Sequence, residues 1–153
     1  KILKDNGFKI CLVSPELQQQ DEKLETYKEY LTKEDIIFDA ICTKVNNIKN
    51  DWVAAVSSIG RLLMFPISEL TLLPKGKGLK VIQIPPAKLK TREEYVVAMT
   101  TMGEMDNLII HTDKRRTIMK TDEQEYYIGE RGRRGSMLKR GFRNVVRISS
   151  EIS

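Results

Sequence analysis

The chain has 153 residues, of which 26 are Lys or Arg and 21 Asp or Glu, for a net charge of +5. That length allows one ordinary domain or two very small ones. No apolar run approaches the length of a membrane span, and Lys1-Ile2-Leu3-Lys4-Asp5-Asn6 lacks the apolar core of a secretory signal, so a soluble cytoplasmic protein is expected. Cys11 and Cys42 sit inside apolar runs and read as buried thiols. His111 is the one histidine and no Cys-x-x-Cys pair occurs, so no metal site is expected.

Phe8-Lys9-Ile10-Cys11-Leu12-Val13 reads as a buried strand stopped by Ser14-Pro15. Between Asp21 and Leu31, Leu24, Tyr27 and Leu31 recur at helical spacing, with charged residues on the outer face. Ile36 to Cys42 supplies a second strand. Strand, helix, strand is a parallel βαβ unit, and residues 1–48 are assigned to it.

After the polar stretch Asn46 to Asp51, strands dominate. Trp52 to Ser58 and Arg61 to Pro66 read as a hairpin turning at Ile59-Gly60. Pro74-Lys75-Gly76-Lys77-Gly78 is a basic glycine loop. Leu79 to Ile84 alternates and is expected to be a strand ended by Pro85-Pro86, with a further strand from Glu94 to Met102. Asn107 to Thr112 opens another hairpin through Asp113-Lys114 to Met119, which makes His111 a strand residue.

Ser58 to Phe65 then lines up with Thr112 to Met119, an offset of 54. Lys75 to Gly78 answers Arg131 to Gly135, and Val81 to Ile84 answers Val145 to Ile148. Repeats of this size, each of several strands and a loop, mark blade-type folds. Two copies cannot close a ring.

Residues 1–50 hold 8 cations and 9 anions, whereas residues 51–153 hold 18 and 12. The excess is concentrated between Gly129 and Arg147, where Arg131, Arg133, Arg134, Lys139, Arg140, Arg143 and Arg147 face one anion, Glu130. Glycine lets a backbone approach a polyanion, and arginine offers a fork of donors that fits phosphate oxygens. A basic stripe on a near-neutral body is the footprint of a phosphate-backbone binder.

Ser57-Ser58-Ile59-Gly60-Arg61-Leu62-Leu63-Met64-Phe65-Pro66-Ile67-Ser68-Glu69-Leu70, Pro74 to Gly78 and Gly129 to Gly135 together resemble the end of the C-terminal DNA-wrapping domain in the A subunit of bacterial topoisomerase IV, the relative of the gyrase A subunit. The resemblance covers about residues 51 to 148. It implies a mainly β fold, a partial β-pinwheel of two blade-like antiparallel repeats over residues 51–153, whose basic rim bends duplex DNA. The gyrase box is Gln-Arg-Arg-Gly-Gly-Lys-Gly, and Gly129 to Gly135 is a degenerate version of it. The resemblance places the cleavage tyrosine, ATP, Mg and the contact with the B subunit in parts of the whole enzyme outside this chain. Tyr95, Tyr126 and Tyr127 are then structural, and neither a catalytic residue nor a cofactor is expected here.

On this reading double-stranded DNA is the partner. Arg131, Arg133, Arg134, Lys139, Arg140 and Arg143 are expected on phosphates, with Lys75, Lys77, Lys80, Lys114, Arg115 and Arg116 extending the track. Gly129, Gly132, Gly135, Gly76 and Gly78 would allow close backbone approach. Residues 1–50 instead loosely resemble the last βαβ turn of a phosphodiesterase-like (β/α) barrel. That alternative makes the chain a fragment or fusion of a hydrolytic enzyme, with Glu16 and Asp39 its only candidate carboxylates.

Overall fold

The computed structural model describes residues 2–5, 8–13, 40–44, 50–70 and 80–152, the first three stretches by their backbone alone. Strand β1 (Ile2–Asp5) pairs antiparallel with β2 (Phe8–Val13), and β2 pairs parallel with β3 (Ala40–Lys44), which sets Cys11 opposite Cys42. Parallel neighbours need a crossover between them, as the strand, helix, strand reading requires. The expected helix from Asp21 to Leu31 lies outside the described residues. Among the described residues no helix is long and apolar enough to cross a membrane.

The rest of the chain is built on two antiparallel sheets. Strands β4 (Trp52–Ser57) and β5 (Arg61–Pro66) form the expected hairpin, in register from Trp52 opposite Pro66 to Val56 opposite Leu62. A 3₁₀ turn, Ile67–Glu69, follows, then a short helix α1 (Pro86–Lys90). Strand β6 (Val96–Met102) pairs with β4, and β9 (Ser136–Met137) with β5, giving the order β6-β4-β5-β9. Strands β7 (Asn107–Thr112), β8 (Arg116–Met119) and β10 (Val145–Glu151) make the second sheet, β10-β7-β8. Helix α2 (Thr121–Gln124) and a 3₁₀ turn, Glu125–Tyr127, lead out of β8.

Strands β4 and β5 are buried nearly from end to end because the first sheet is covered on both faces. One face packs Val53, Ala55, Leu63 and Phe65 against Val81, Ile82 and Ile84. The other sets Ala54, Val56, Leu62 and Met64 against Leu108, Ile110 and Ile148 of the second sheet. Full burial of a side chain such as Phe65 contributes about 1.5–3 kcal/mol. The second sheet packs one face on the core and turns the exposed Arg116, Ile118 and Arg147 outward, but β7 does not alternate, since Leu108, Ile109 and Ile110 are all buried.

Two expectations are corrected. Residues 80–84 of the segment Leu79 to Ile84 are not a strand. Val81 and Ile82 are both fully buried, so alternation fails, and the segment is tied to the glycine-arginine loop by backbone hydrogen bonds from Gly132 N to Val81 O at 2.9 Å and from Gln83 N to Arg133 O at 2.8 Å. Its partner is a turning loop, and Pro85-Pro86 brings no N–H donors, so no ladder can propagate. The counterpart of Val145 to Ile148 is therefore not Val81 to Ile84 but β6, since β6 flanks β4 as β10 flanks β7. The hairpin correspondence of Ser58 to Phe65 with Thr112 to Met119 does match two hairpins of like pairing.

Candidate nucleic-acid interface

The glycine-arginine strip is a strap. It leaves the second repeat after Tyr127 and crosses onto the first sheet, where Ile128 bridges Met64 and Gly129 N donates to Met64 O at 2.9 Å. It then pairs with β5 through Met137 opposite Arg61 and Ser136 opposite Leu62, and Leu138 N donates to Gly60 O at 2.8 Å. At Gly129 and Gly135 the close approach is toward the protein itself. Gly135 has φ +75°, and a Cβ there would lie 2.7 Å from the Leu62 carbonyl oxygen. A Cβ on Gly129 would meet Leu63 Cδ1 at 3.1 Å. Gly135→Ala should therefore cost about 2 kcal/mol, through the φ strain and the backbone clash, measurable as a lowered midpoint in urea melts.

The strap's arginines divide by partner. Arg131 is clasped by β5's trailing turn: its backbone N–H donates to Glu69 Oε2 at 2.7 Å, its Nε to Glu69 O at 3.2 Å and its Nη1 to Lys80 O at 2.6 Å. Arg134 forms a bidentate pair with Glu94, both bonds 2.6 Å, and also donates to Gln83 O at 3.2 Å. Glu94 is fully buried. Burial pushes its carboxyl up, but hydrogen bonds from Arg134 and Ser57 and the charges of Arg134 and Lys88 outweigh that and hold it below its usual 4.5. These two arginines spend their donors on the fold. Arg143 is half-buried, with Nε on Leu138 O at 2.9 Å.

Arg133 is exposed and holds Glu130 at 3.1 Å, three residues back in the same loop. Lys139 reaches Glu123 at 3.6 Å. Such exposed pairs are worth little and yield readily to a phosphate. Arg140, Lys114 and Arg116 are exposed, and Arg115 lies 5.4 Å from the centre of the Phe142 ring. A shallow recess of about 200 Å³ brings Lys114 and Arg115 of the β7–β8 turn beside Gly141 and Asn144, the loop that carries Arg140. Lys80 is exposed with Nζ on Gln83 Oε1 at 3.0 Å. Lys75, Gly76, Lys77 and Gly78 lie outside the described residues.

The structure therefore assembles a cationic end from Lys114, Arg115 and Arg140, with Arg116 on the adjacent strand, and leaves Arg133 and Lys139 as separate exposed charges. Sequence reasoning missed Glu94 and Glu69 as anchors of Arg134 and Arg131. Their separations, forty and sixty-two positions, carry no local signal. It also missed the part of Arg61, whose Nη1 donates to Gly135 O at 3.1 Å while its buried Nε makes no hydrogen bond. Of the tyrosines, Tyr127 is buried and its phenol is pushed above 10.0 by burial, then by Tyr126 and Glu123. Tyr126 is exposed, and Tyr95 lies beneath the Arg92 guanidinium at 4.1 Å. Among the described residues no cluster of His, Cys, Asp and Glu could hold a metal ion.

No family model matches the chain. The A subunit of DNA topoisomerase 4 from Pseudomonas aeruginosa is 45% identical over 101 residues, 66% of this chain and 13% of that protein. The Haemophilus influenzae protein of the same name is 38% identical over 96 residues, 63% of this chain and 13% of its own length. The Escherichia coli K12 protein is 37% identical over 99 residues, 65% and 13%. The chain thus spans 13% of the length of the curated relatives it matches. Among solved structures, the Escherichia coli ParC C-terminal domain superposes with a TM-score of 0.63 at 34% identity, covering 71% of this chain and 43% of that one. A crystal structure of the C-terminal domain of DNA topoisomerase IV shares the fold, with a TM-score of 0.53 at 13% identity over 68% of this chain and 32% of that one. Residues 50–152 are thus a mainly antiparallel β structure that matches the ParC C-terminal β-pinwheel domain, and over about two thirds of its length the chain is homologous to the topoisomerase IV A subunit.

Proposed function

We propose that residues 51–153 are a DNA-binding and DNA-bending module of a bacterial type II topoisomerase of the topoisomerase IV type. The observation that carries this is the 45% identity to the A subunit of a topoisomerase 4 over 101 residues of the chain. The exposed cations Arg133, Lys139, Arg140, Lys114, Arg115 and Arg116 contact phosphates, which position a duplex without reading its sequence. Arg131, Arg134 and Arg143 support this surface by fixing the strap. The module serves relaxation and decatenation by the whole enzyme in the bacterial cytoplasm, on the nucleoid. The enzyme's other parts use ATP and Mg and contact the B subunit.

Residues 1–48 are a separate segment on this proposal, and reading the encoding DNA across the junction near residue 48 tests whether it belongs with the rest. The alternative of a barrel hydrolase draws no support from the relatives above. Its candidate carboxylates, Glu16 and Asp39, lie outside the described residues.

The salt dependence of binding to a random-sequence duplex tests the module. Six phosphate contacts release counterions with a slope of log affinity against log salt of about −5. A flat response, or no binding at low salt, would overturn the proposal.

A further inference from the structure

The outer face of the second sheet carries an ordered row of three basic side chains, Arg116 and Arg147 exposed and His111 partly buried. In register, Arg147 of β10 lies opposite His111 of β7, and His111 lies opposite Arg116 of β8. Directly opposed residues stand about 5 Å apart at Cβ and share a face. The Arg147 guanidinium comes 3.4 Å from His111 Nδ1, while His111 Nε2 is 3.0 Å from Ser149 Oγ. The opposite face carries Leu108, Ile110, Met119 and Ile148 into the core, so the row is held rigidly from beneath.

We propose that Arg147, His111 and Arg116 form a phosphate subsite in which the imidazole takes up a proton as a DNA phosphodiester docks. This rests on the DNA-binding reading above. Two guanidiniums flanking one imidazole place three potential donors in a line, and a phosphate presents several acceptor oxygens to such a line. Without an anion the arrangement opposes protonation: partial burial, then the charges of Arg147 and Arg116, hold His111 below 6.5. A docked phosphate reverses the local charge and favours imidazolium. Among the described residues, the strands of this sheet and the turn after β7 also carry Asp113, Lys114 and Arg115, and Glu151 at the far end of β10, opposite Asn107. On β7 itself the same face carries the buried Ile109 and the half-buried Asn107, which do not titrate.

Binding and protonation are then linked, so DNA affinity rises as pH falls from 8 toward 5.5. A rise of one unit in the pKa of His111 corresponds to about a tenfold gain over that range. His111 is the single histidine of the chain, which makes its imidazole resonances an unambiguous reporter. The test titrates them by NMR in the 153-residue chain, free, with a random-sequence duplex, and with inorganic phosphate alone. The expected result is a pKa below 6.5 free and above it with the duplex. Arg116→Ala should raise the free value and shrink the shift on binding, and His111→Gln should flatten the pH dependence of affinity between pH 8 and pH 5.5.

A duplex that binds without moving His111, or a pH dependence that survives His111→Gln, would overturn the subsite and leave the module standing. A shift with inorganic phosphate and none with the duplex would overturn its assignment to DNA. Absence of duplex binding at every pH would overturn the module and the subsite together.

Discussion

Replacing Lys114, Arg115 and Arg140 together with Ala should lower affinity for a random-sequence duplex by about 500-fold at 0.1 M salt, the largest effect expected here. Each phosphate contact contributes about 0.9 to the slope of log affinity against log salt, so three contacts contribute about −2.7. The three residues sit on the two loops that meet at the recess beside Gly141 and Asn144. None of them anchors the core, and Arg115 alone gives up a further contact, its approach to the Phe142 ring. The melting temperature should therefore change little. The loss should be the same for duplexes of different sequence, since phosphate contacts carry no base information. Measuring affinity at several salt concentrations separates this from a folding defect: the slope should fall by about three while the fold is retained. An unchanged slope would remove these residues from the interface.

Arg134→Ala should behave in the opposite way. The substitution leaves the fully buried Glu94 carboxylate without the two charge-assisted bonds that offset its burial. Breaking a buried pair on one side costs 3–5 kcal/mol, and about 3 kcal/mol is expected here because the Arg134 side chain keeps 28% exposure. For a domain of roughly 100 residues that lowers the melting temperature by on the order of 15 °C. Arg134→Lys should recover part of the loss, since an ammonium cannot reproduce the fork.

The pH dependence distinguishes the cause. In the native chain the carboxyl of Glu94 is held below 4.5, so the pair contributes its stability above that pH and loses it as pH falls through the depressed value. Without Arg134, burial dominates and pushes the carboxyl up, so the variant is least stable near neutral pH and recovers as Glu94 becomes protonated. The gap between variant and native chain should narrow between pH 7 and pH 4 in thermal melts. A constant gap would mean that Arg134 stabilises through packing alone. Any loss of DNA affinity in this variant should track its unfolded fraction.

These two variants separate arginines that look alike in the sequence. Arg133 and Arg134 are adjacent, yet one extends into solvent beside Glu130 and the other turns inward to Glu94. The strap's path decides this. Gly132 and Gly135, at φ +80° and +75°, reverse the chain on both sides of Arg133-Arg134. Consecutive side chains there point to different surroundings, and no property of the residues themselves predicts which is buried.

Local patterns were legible where local physics governs. The hairpins at Ile59-Gly60 and Asp113-Lys114, the strand ending at Met102 and the placement of His111 in a strand all follow from short-range alternation and turn chemistry, and the structure has each of them. The clustering of charge between Gly129 and Arg147 was equally plain, because composition alone records it. Residues 80–84 failed as a strand because the turning loop about fifty residues on meets them with two separate backbone hydrogen bonds and arginine side chains rather than a ladder. The amino-acid sequence by itself determined the two hairpins, the family likeness and the basic character of the C-terminal third. Only the tertiary structure decided which cations remain available, because ion pairs such as Arg134 with Glu94 form between residues far apart in the chain, and long-range burial, not residue type, assigns each arginine to the fold or to solvent.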